Sequence, residues 1–376
     1  MVLDANSPNY RQCSLSVMDN IADPYIRFDE TGICNYYYEY QEASNKYLLT
    51  AEKKERKFQE IIATIKKDGK GKQYDCILGV SGGVDSTYLA LIAKQAGLRV
   101  LCVHFDNGWN SELAVKNIEN IVKKCGFDLY TYVIEWNEFR DIQLAYFKAN
   151  VIDIEAVTDI AIFSALDSIC KKNKIRHIID GRNIVTEYTM PPSWICKSQP
   201  NLRDIHDKFG TISLKSYPMM HPIRRRIIAR TKPFNSWPLL NYVNYIKSEA
   251  KEKIIAELQW RDYGGKHYES VFTRFYQGYI LPTKFKVDKR KPHLSNLIFS
   301  GQMTRDQAIA ALNEPIYPKA LFEIDFEFVL KKLGFNKIQF QEYLNTPQIS
   351  HHYYDMSLSI FDELKWLKNI KSKFFR

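Results

Sequence analysis

Tyr74-Asp75-Cys76-Ile77-Leu78-Gly79-Val80-Ser81-Gly82-Gly83-Val84-Asp85-Ser86-Thr87 is the stretch that decides the fold. A short apolar run ends in two adjacent glycines, and a helix-periodic segment, Asp85 to Ala96, follows. That order reads as buried strand, tight loop, helix. Glycines let a backbone come close to an anion. A helix N-terminus offers unpaired N–H groups and the positive end of its dipole. Ser81 and Ser86 add hydroxyl donors. No Lys follows the glycines, so this is not the GxxxxGK[ST] loop, and it is not GxGxxG either.

Outward from this loop the alternation continues. Leu98 to Phe105, Asp128 to Ile134 and Ile175 to Asp180 read as further strands. Helical patterns lie between them at 111–124, 137–149 and 156–173. Strands alternating with helices of this length predict an α/β fold, a parallel sheet with helices on both faces. Residues 1–50 form a small turn-rich N-terminal module and 51–235 the phosphate-loop domain. Residues 236–376 form a mainly helical region for substrate or partner. From about 190 the many prolines read as irregular structure around a site. Ser357 to Lys371 reads as an amphipathic basic helix, either docked or facing nucleic acid.

The 376 residues are 45% apolar and 26% charged, which excludes wholesale disorder and fibrous repeats. The net charge of +10 favours phosphate-bearing partners and says nothing of fold. No apolar run reaches the ~18 residues of a membrane span, so no membrane insertion is expected. Seven cysteines without a secretory pattern fit reduced thiols and a cytoplasmic location.

Ser81-Gly82-Gly83-Val84-Asp85-Ser86 resembles the signature of the PP-loop ATP pyrophosphatases, whose fold is adenine nucleotide alpha hydrolase-like. The resemblance implies cleavage of ATP to AMP and pyrophosphate. Ser81, Gly82, Gly83, Asp85 and Ser86 would bind ATP, and Asp85 would help hold Mg²⁺. A carboxylate beside phosphates needs such a bridging cation. His104 and Asp106 end the second strand and are expected at the adenosine edge, since open parallel sheets bind ligands outside the carboxyl ends of their strands. Gly181-Arg182-Asn183-Ile184-Val185-Thr186-Glu187 is similar to a G-x-N-x-x-E segment of NAD synthetase-like enzymes. By that likeness Gly181 and Asn183 bind ATP, Arg182 a phosphate, and Glu187 the metal. Asp85, Glu187 and Arg182 are thus the expected catalytic residues.

Three longer stretches narrow the likeness. They are Arg11 to Asn35; Asp262-Tyr263-Gly264-Gly265-Lys266-His267-Tyr268-Glu269-Ser270 with Phe272 to Gln277; and Leu281 to Arg305. Together they resemble the N-acetyl sugar amidotransferase family, WbpG-like members of surface-glycan pathways such as lipopolysaccharide O-antigen biosynthesis. The resemblance implies conversion of an acetamido group on a nucleotide-linked sugar into an acetamidino group through an adenylylated intermediate. Arg274, Lys284, Lys289, Arg290, His293 and Gln302 are candidate substrate contacts, with Ser295 and Arg305 beside them. For each Lys or Arg a solvated basic face is the ordinary alternative, and the same holds for Arg224-Arg225-Arg226. His267 and Glu269 suggest an acid/base pair. The chain carries no Gly-x-Cys-x-Gly nucleophile turn and its second residue is Val2. A separate glutaminase is therefore the expected ammonia source, and the resemblance implies one like the HisH/HisF pair; no nucleic acid is an expected partner.

The family opens with two Cys-x-x-Cys pairs, a zinc pattern. Here they read Cys13-Ser14-Leu15-Ser16 and Cys34-Asn35-Tyr36-Tyr37, so only Cys13 and Cys34 remain and no zinc is expected. The alternative function is a PP-loop tRNA-modifying enzyme, a thiolase or lysidine-type ligase. Against it, Cys76, Cys102, Cys125, Cys170 and Cys196 form no close pair in sequence.

Overall fold

A computed structural model describes residues 7–220, 234–265 and 267–356. The arginine run at 224–226 and the amphipathic segment at 357–371 lie outside the described residues. Two helices lead in, α1 (Asn35–Tyr47) and α2 (Ala51–Gly69). The alternation follows as β1 (Cys76–Gly79), α3 (Val84–Gln95), β2 (Val100–Asp106), α4 (Glu112–Cys125), β3 (Asp128–Val133), α5 (Trp136–Ala149), α6 (Ala156–Lys172), β4 (His177–Asp180) and the single turn α7 (Ile184–Glu187). Then come α8 (Gln199–Phe209), β5 (Asn235–Pro238), α9 (Lys247–Leu258) and α10 (Val271–Phe275). A π-helical stretch, Tyr276–Phe285, leads to α11 (Arg290–Phe299), α12 (Arg305–Asn313), α13 (Lys319–Leu333) and α14 (Lys337–Asn345).

All five strands pair in parallel, in the order β3-β2-β1-β4-β5. Ile77 lies opposite Leu101 on one side and Ile178 on the other. Side chains alternate across this sheet as a two-residue period demands. Cys76, Leu78, Val100 and Cys102 enter a layer packed by α2, α3, α4 and α9. Ile77, Leu101, Val103 and Ile178 enter the opposite layer with Ile169 and Cys170 of α6. Burial on both faces is why the strands read as unbroken apolar runs. The chain leaves β1 toward β2 and later returns to β1's other flank as β4. The crevice between the ends of β1 and β4 is the switch point where such sheets bind ligands.

The sequence reading missed β5. It is four residues long, lies at a sheet edge, and ends on Pro238, which an edge strand tolerates. Both β5 and α9 belong to the sheet's packing, so the sheet continues past the boundary expected at residue 235. Helices α8 and α11 were also unread. Residues 267–285 divide into a turn, α10 and the π-helical stretch that contains Pro282. A proline lacks the N–H that an α-helical bond at that position needs, and the ring crowds the preceding turn. The C-terminal helices bury an aromatic core in which Phe147, Phe275 and Phe340 pack with Tyr343.

Candidate active site

The phosphate loop sits where β1 gives way to α3. Val80 donates to Val103 O at 2.9 Å, which carries the pairing one residue past β1. Gly82 takes φ +80°, and a Cβ there would lie 2.7 Å from Ala114 O. Only glycine satisfies both the turn and the contact. The indole N–H of Trp260 donates to Gly82 O at 2.7 Å and fixes the loop from behind. Gly83 is the N-cap of α3 and supplies no side chain, so the first turn of the helix opens toward the crevice. The Ser81 hydroxyl accepts from Gly83 N at 3.2 Å and lies 3.4 Å from the Ser86 hydroxyl.

A cavity of about 380 Å³ opens above this loop. Ser81, Gly83, Asp85, Ser86, Gly181 and Glu187 line it, six of the residues singled out from sequence. Asp85 comes from the first turn of α3. Glu187 ends α7, a turn started by the Asn183 side chain accepting from Thr186 N at 2.8 Å. The sheet's switch point thus brings two carboxylates to one cavity from segments about a hundred residues apart. Hard oxygen ligands beside a phosphate cradle suit Mg²⁺, which takes one or two carboxylates and completes its shell with phosphate and water.

The rest of the wall includes His267 and Glu269, the pair marked in the sequence, together with Lys247, Lys251, Asp262 and Tyr263, which sequence reading did not select as ligands. Lys251 Nζ lies 2.5 Å from Asp262 Oδ2. Burial would raise the Asp262 carboxyl, but that ammonium and the Gly264 N–H outweigh it and hold the group below its usual range. The Tyr245 hydroxyl donates to Asp85 Oδ1. Burial and the neighbouring Asp85 push the Tyr245 phenol far up, so it remains a donor. Burial, with Glu269 near, does the same for Tyr263. Nothing in sequence marked Tyr245.

Several expected contacts are placed elsewhere. His104 is buried, with Nδ1 3.2 Å from Val80 O and Nε2 3.1 Å from Asn110 Nδ2, so it braces the two strand ends. Asp106 accepts from Gly108 N and Asn110 Nδ2 at 2.9 and 3.0 Å. Arg182 folds back on Asp180 at 2.8 Å and on the Ser236 hydroxyl at 3.0 Å. Asn183 caps α7. None of these four side chains lines the cavity, and Gly82 lies beneath it.

The candidate substrate residues are likewise dispersed. Arg274 is locked to Asp325, Nη2 to Oδ1 at 2.7 Å. Lys284 Nζ donates to Tyr343 O at 2.5 Å at the end of α14, and burial lowers this amine to about 8. Arg290 pairs with Asp288 and donates to Glu314 O at 2.8 Å beyond α12. Lys289 lies 3.8 Å from Glu155. These cations therefore hold helices together; they do not gather around a sugar phosphate. Gln302 is a brace as well, accepting from Lys247 N at 3.1 Å and donating to Tyr245 O at 2.9 Å. His293 is placed near the cavity, its ring 5.7 Å from that of His267.

In the N-terminal module Cys34 N donates to Cys13 Sγ at 3.2 Å, and the Ser16 hydroxyl lies 3.9 Å from Cys34 Sγ. Cys34 and the Ser16 hydroxyl, both hydrogen-bonded to it, draw the Cys13 thiol below its usual range. Tyr37 packs on Phe299 and takes no part as a ligand. Two thiols and a hydroxyl do not make a tetrahedral zinc site. Among the described residues no cluster of three or more His, Cys, Asp or Glu side chains is positioned to hold a metal ion. No described helix is long and apolar enough to cross a membrane.

The chain's likeness to known proteins divides along its length. A family model for the C-terminal domain of LPS biosynthesis protein WbpG-like proteins matches residues 269–368. The model for queuosine biosynthesis protein QueC matches residues 75–195. An uncharacterized protein of Methanocaldococcus jannaschii, MJ1599, is 24% identical over 287 residues, 74% of this chain and 86% of that protein. The tRNA(Ile)-lysidine synthase of Chlamydia pneumoniae is 35% identical over 71 residues, 18% of this chain and 22% of that protein. Among solved structures, NMN synthetase from Francisella tularensis superposes with a TM-score of 0.38 at 13% identity, covering 70% of this chain and 92% of that one.

Proposed function

We propose that this chain, a WbpG-like member of the ATP-utilising PP-loop group, converts an acetamido group on a nucleotide-linked sugar into an acetamidino group. One observation carries this reading. The phosphate loop at Ser81 to Ser86 and Glu269, where the WbpG-like stretch begins, line the same cavity. The part that binds ATP and the part that sets the family thus meet at one site.

The chemistry explains the need for ATP. An amide carbonyl is a poor electrophile and its oxygen a poor leaving group. Attack of that oxygen on the α-phosphate of ATP forms a C–O–P linkage and releases pyrophosphate. Ammonia then displaces AMP. The loop N–H groups and the Ser81 and Ser86 hydroxyls hold the phosphates, and the cavity walls orient the sugar against them. Positioning and charge stabilisation suffice, with no covalent nucleophile on the protein. Asp85 and Glu187 would hold Mg²⁺, which offsets phosphate charge. A HisH/HisF-like glutaminase would supply ammonia, in a surface-glycan pathway such as O-antigen assembly.

The test supplies purified protein with ATP, Mg²⁺, ammonium and a panel of UDP-acetamido sugars, against total tRNA with lysine or a sulfur donor. AMP release with a sugar is expected, and an isotopically labelled acetamido oxygen should appear in AMP. Asp85→Ala and Glu187→Gln should each abolish it. AMP release with tRNA and none with any sugar would overturn the reading in favour of the tRNA-modifying alternative.

A further inference from the structure

Phosphate and metal binding leave two side chains of the cavity wall unexplained. His267 Nδ1 and Glu269 Oε1 are 3.6 Å apart, and both residues line the cavity. His267 sits at φ +65°, a conformation non-glycine residues seldom take. Such an outlier beside a site is a reason to ask what the side chain does there. Glu269 is anchored. Its carbonyl accepts from Ser111 N at 2.8 Å, and the next residue, Ser270, bridges to Asn110 beyond β2. A Cβ built on Gly83 would lie 3.6 Å from Glu269 Oε1, so this carboxylate stands directly over the phosphate loop.

We propose that His267, oriented by Glu269, is the proton relay of the amine-transfer step. The inference rests on the amidine-forming reading above. Glu269 faces Nδ1, so Nδ1 carries the hydrogen and Nε2 is left as the base. A separation of 3.6 Å is longer than a hydrogen bond, and pairs of this kind tighten when substrate binds. The step balances as follows. The ammonia lone pair forms a C–N bond to the imidoyl carbon, and the C=N π pair moves onto the sugar nitrogen. His267 Nε2 takes a proton from the new ammonio nitrogen and returns it to that sugar nitrogen. The C–O bond breaks, its electron pair leaves on the AMP phosphate oxygen, and an amidinium remains. No net proton is consumed. An imidazole nitrogen within reach of both nitrogens can accept the proton from one and return it to the other.

Half-reactions separate this role from a structural one. Sugar-dependent exchange of labelled pyrophosphate into ATP reports adenylylation alone. In His267→Gln and Glu269→Gln that exchange should persist, while amidine formation from ammonia should fall by ~10²–10⁴-fold for the histidine and less for the glutamate. Hydroxylamine, whose conjugate acid is far more acidic than ammonium, should rescue the variants, because its adduct sheds a proton without help. Equal losses with both amines, loss of the exchange itself, or an unchanged rate with ammonia would each overturn the relay. No sugar-dependent exchange in the unsubstituted protein would instead overturn the functional reading beneath it.

Discussion

Asp85 was legible from six letters of sequence because the loop chemistry is local: glycines, hydroxyls and a carboxylate at fixed spacing. Its partner was not. Tyr245 is 160 residues away and reaches Asp85 only because α9 packs on α3. On the proposed function Asp85 holds Mg²⁺; hydrogen bonds behind a metal-binding carboxylate orient it, and removing one costs ~10–100-fold in metal affinity or activity. Tyr245→Phe should therefore raise the Mg²⁺ needed for half-maximal ATP cleavage by about that factor. Its circular dichroism should stay unchanged, and an unaltered Mg²⁺ titration would count against the role. His104 and Asn183 show the reverse failure. A polar residue at a strand end looks like a ligand in sequence, yet both side chains turn inward to satisfy neighbouring backbone.

Cations on the C-terminal helices read as a substrate face because a sequence gives sign and spacing but not partners. The structure spends them between elements. Arg274 on α10 is paired with Asp325 on α13, and the Tyr317 hydroxyl donates to the same carboxylate. Both side chains of the pair are nearly buried, 12% and 3% exposed. Removing one partner of such a pair leaves a stranded charge and costs ~3–5 kcal/mol. Arg274→Ala should lower stability to urea by about that amount, and pairing it with Asp325→Leu should recover much of the loss. A raised KM for the sugar at unchanged stability would instead restore the substrate role. Elsewhere at this scale the reading succeeded where burial imposes a strong period: β1 to β4 and α3 to α6 lie close to where apolar spacing put them. It failed at β5 and α11, where edge position and proline remove the signal.

Across the whole molecule, the N-terminal module is tied to the C-terminal helices by side chains. Arg305 donates to Ser16 O at 3.1 Å and to Gln12 Oε1 at 2.9 Å; Lys291 pairs with Asp19; and Val17 N reaches the Ser295 hydroxyl at 3.4 Å. Metal analysis of the purified protein should accordingly give much less than one zinc per chain, and chelators should leave its melting temperature unchanged. Stoichiometric zinc on Cys13 and Cys34 would refute this and would require ligands from elsewhere in the fold.

The Arg305 clamp has a consequence for birth rather than for catalysis. Its two ends are 289 residues apart along the chain. At ~5–20 residues per second of synthesis, the ribosome needs roughly 15–60 s to make the second after the first has emerged. Through that interval the module's apolar side chains, Val17 and Met18 among them, wait without the surface that will cover them, and a chaperone or an early-folding sheet must shelter residues 11–34 until α11 and α12 arrive.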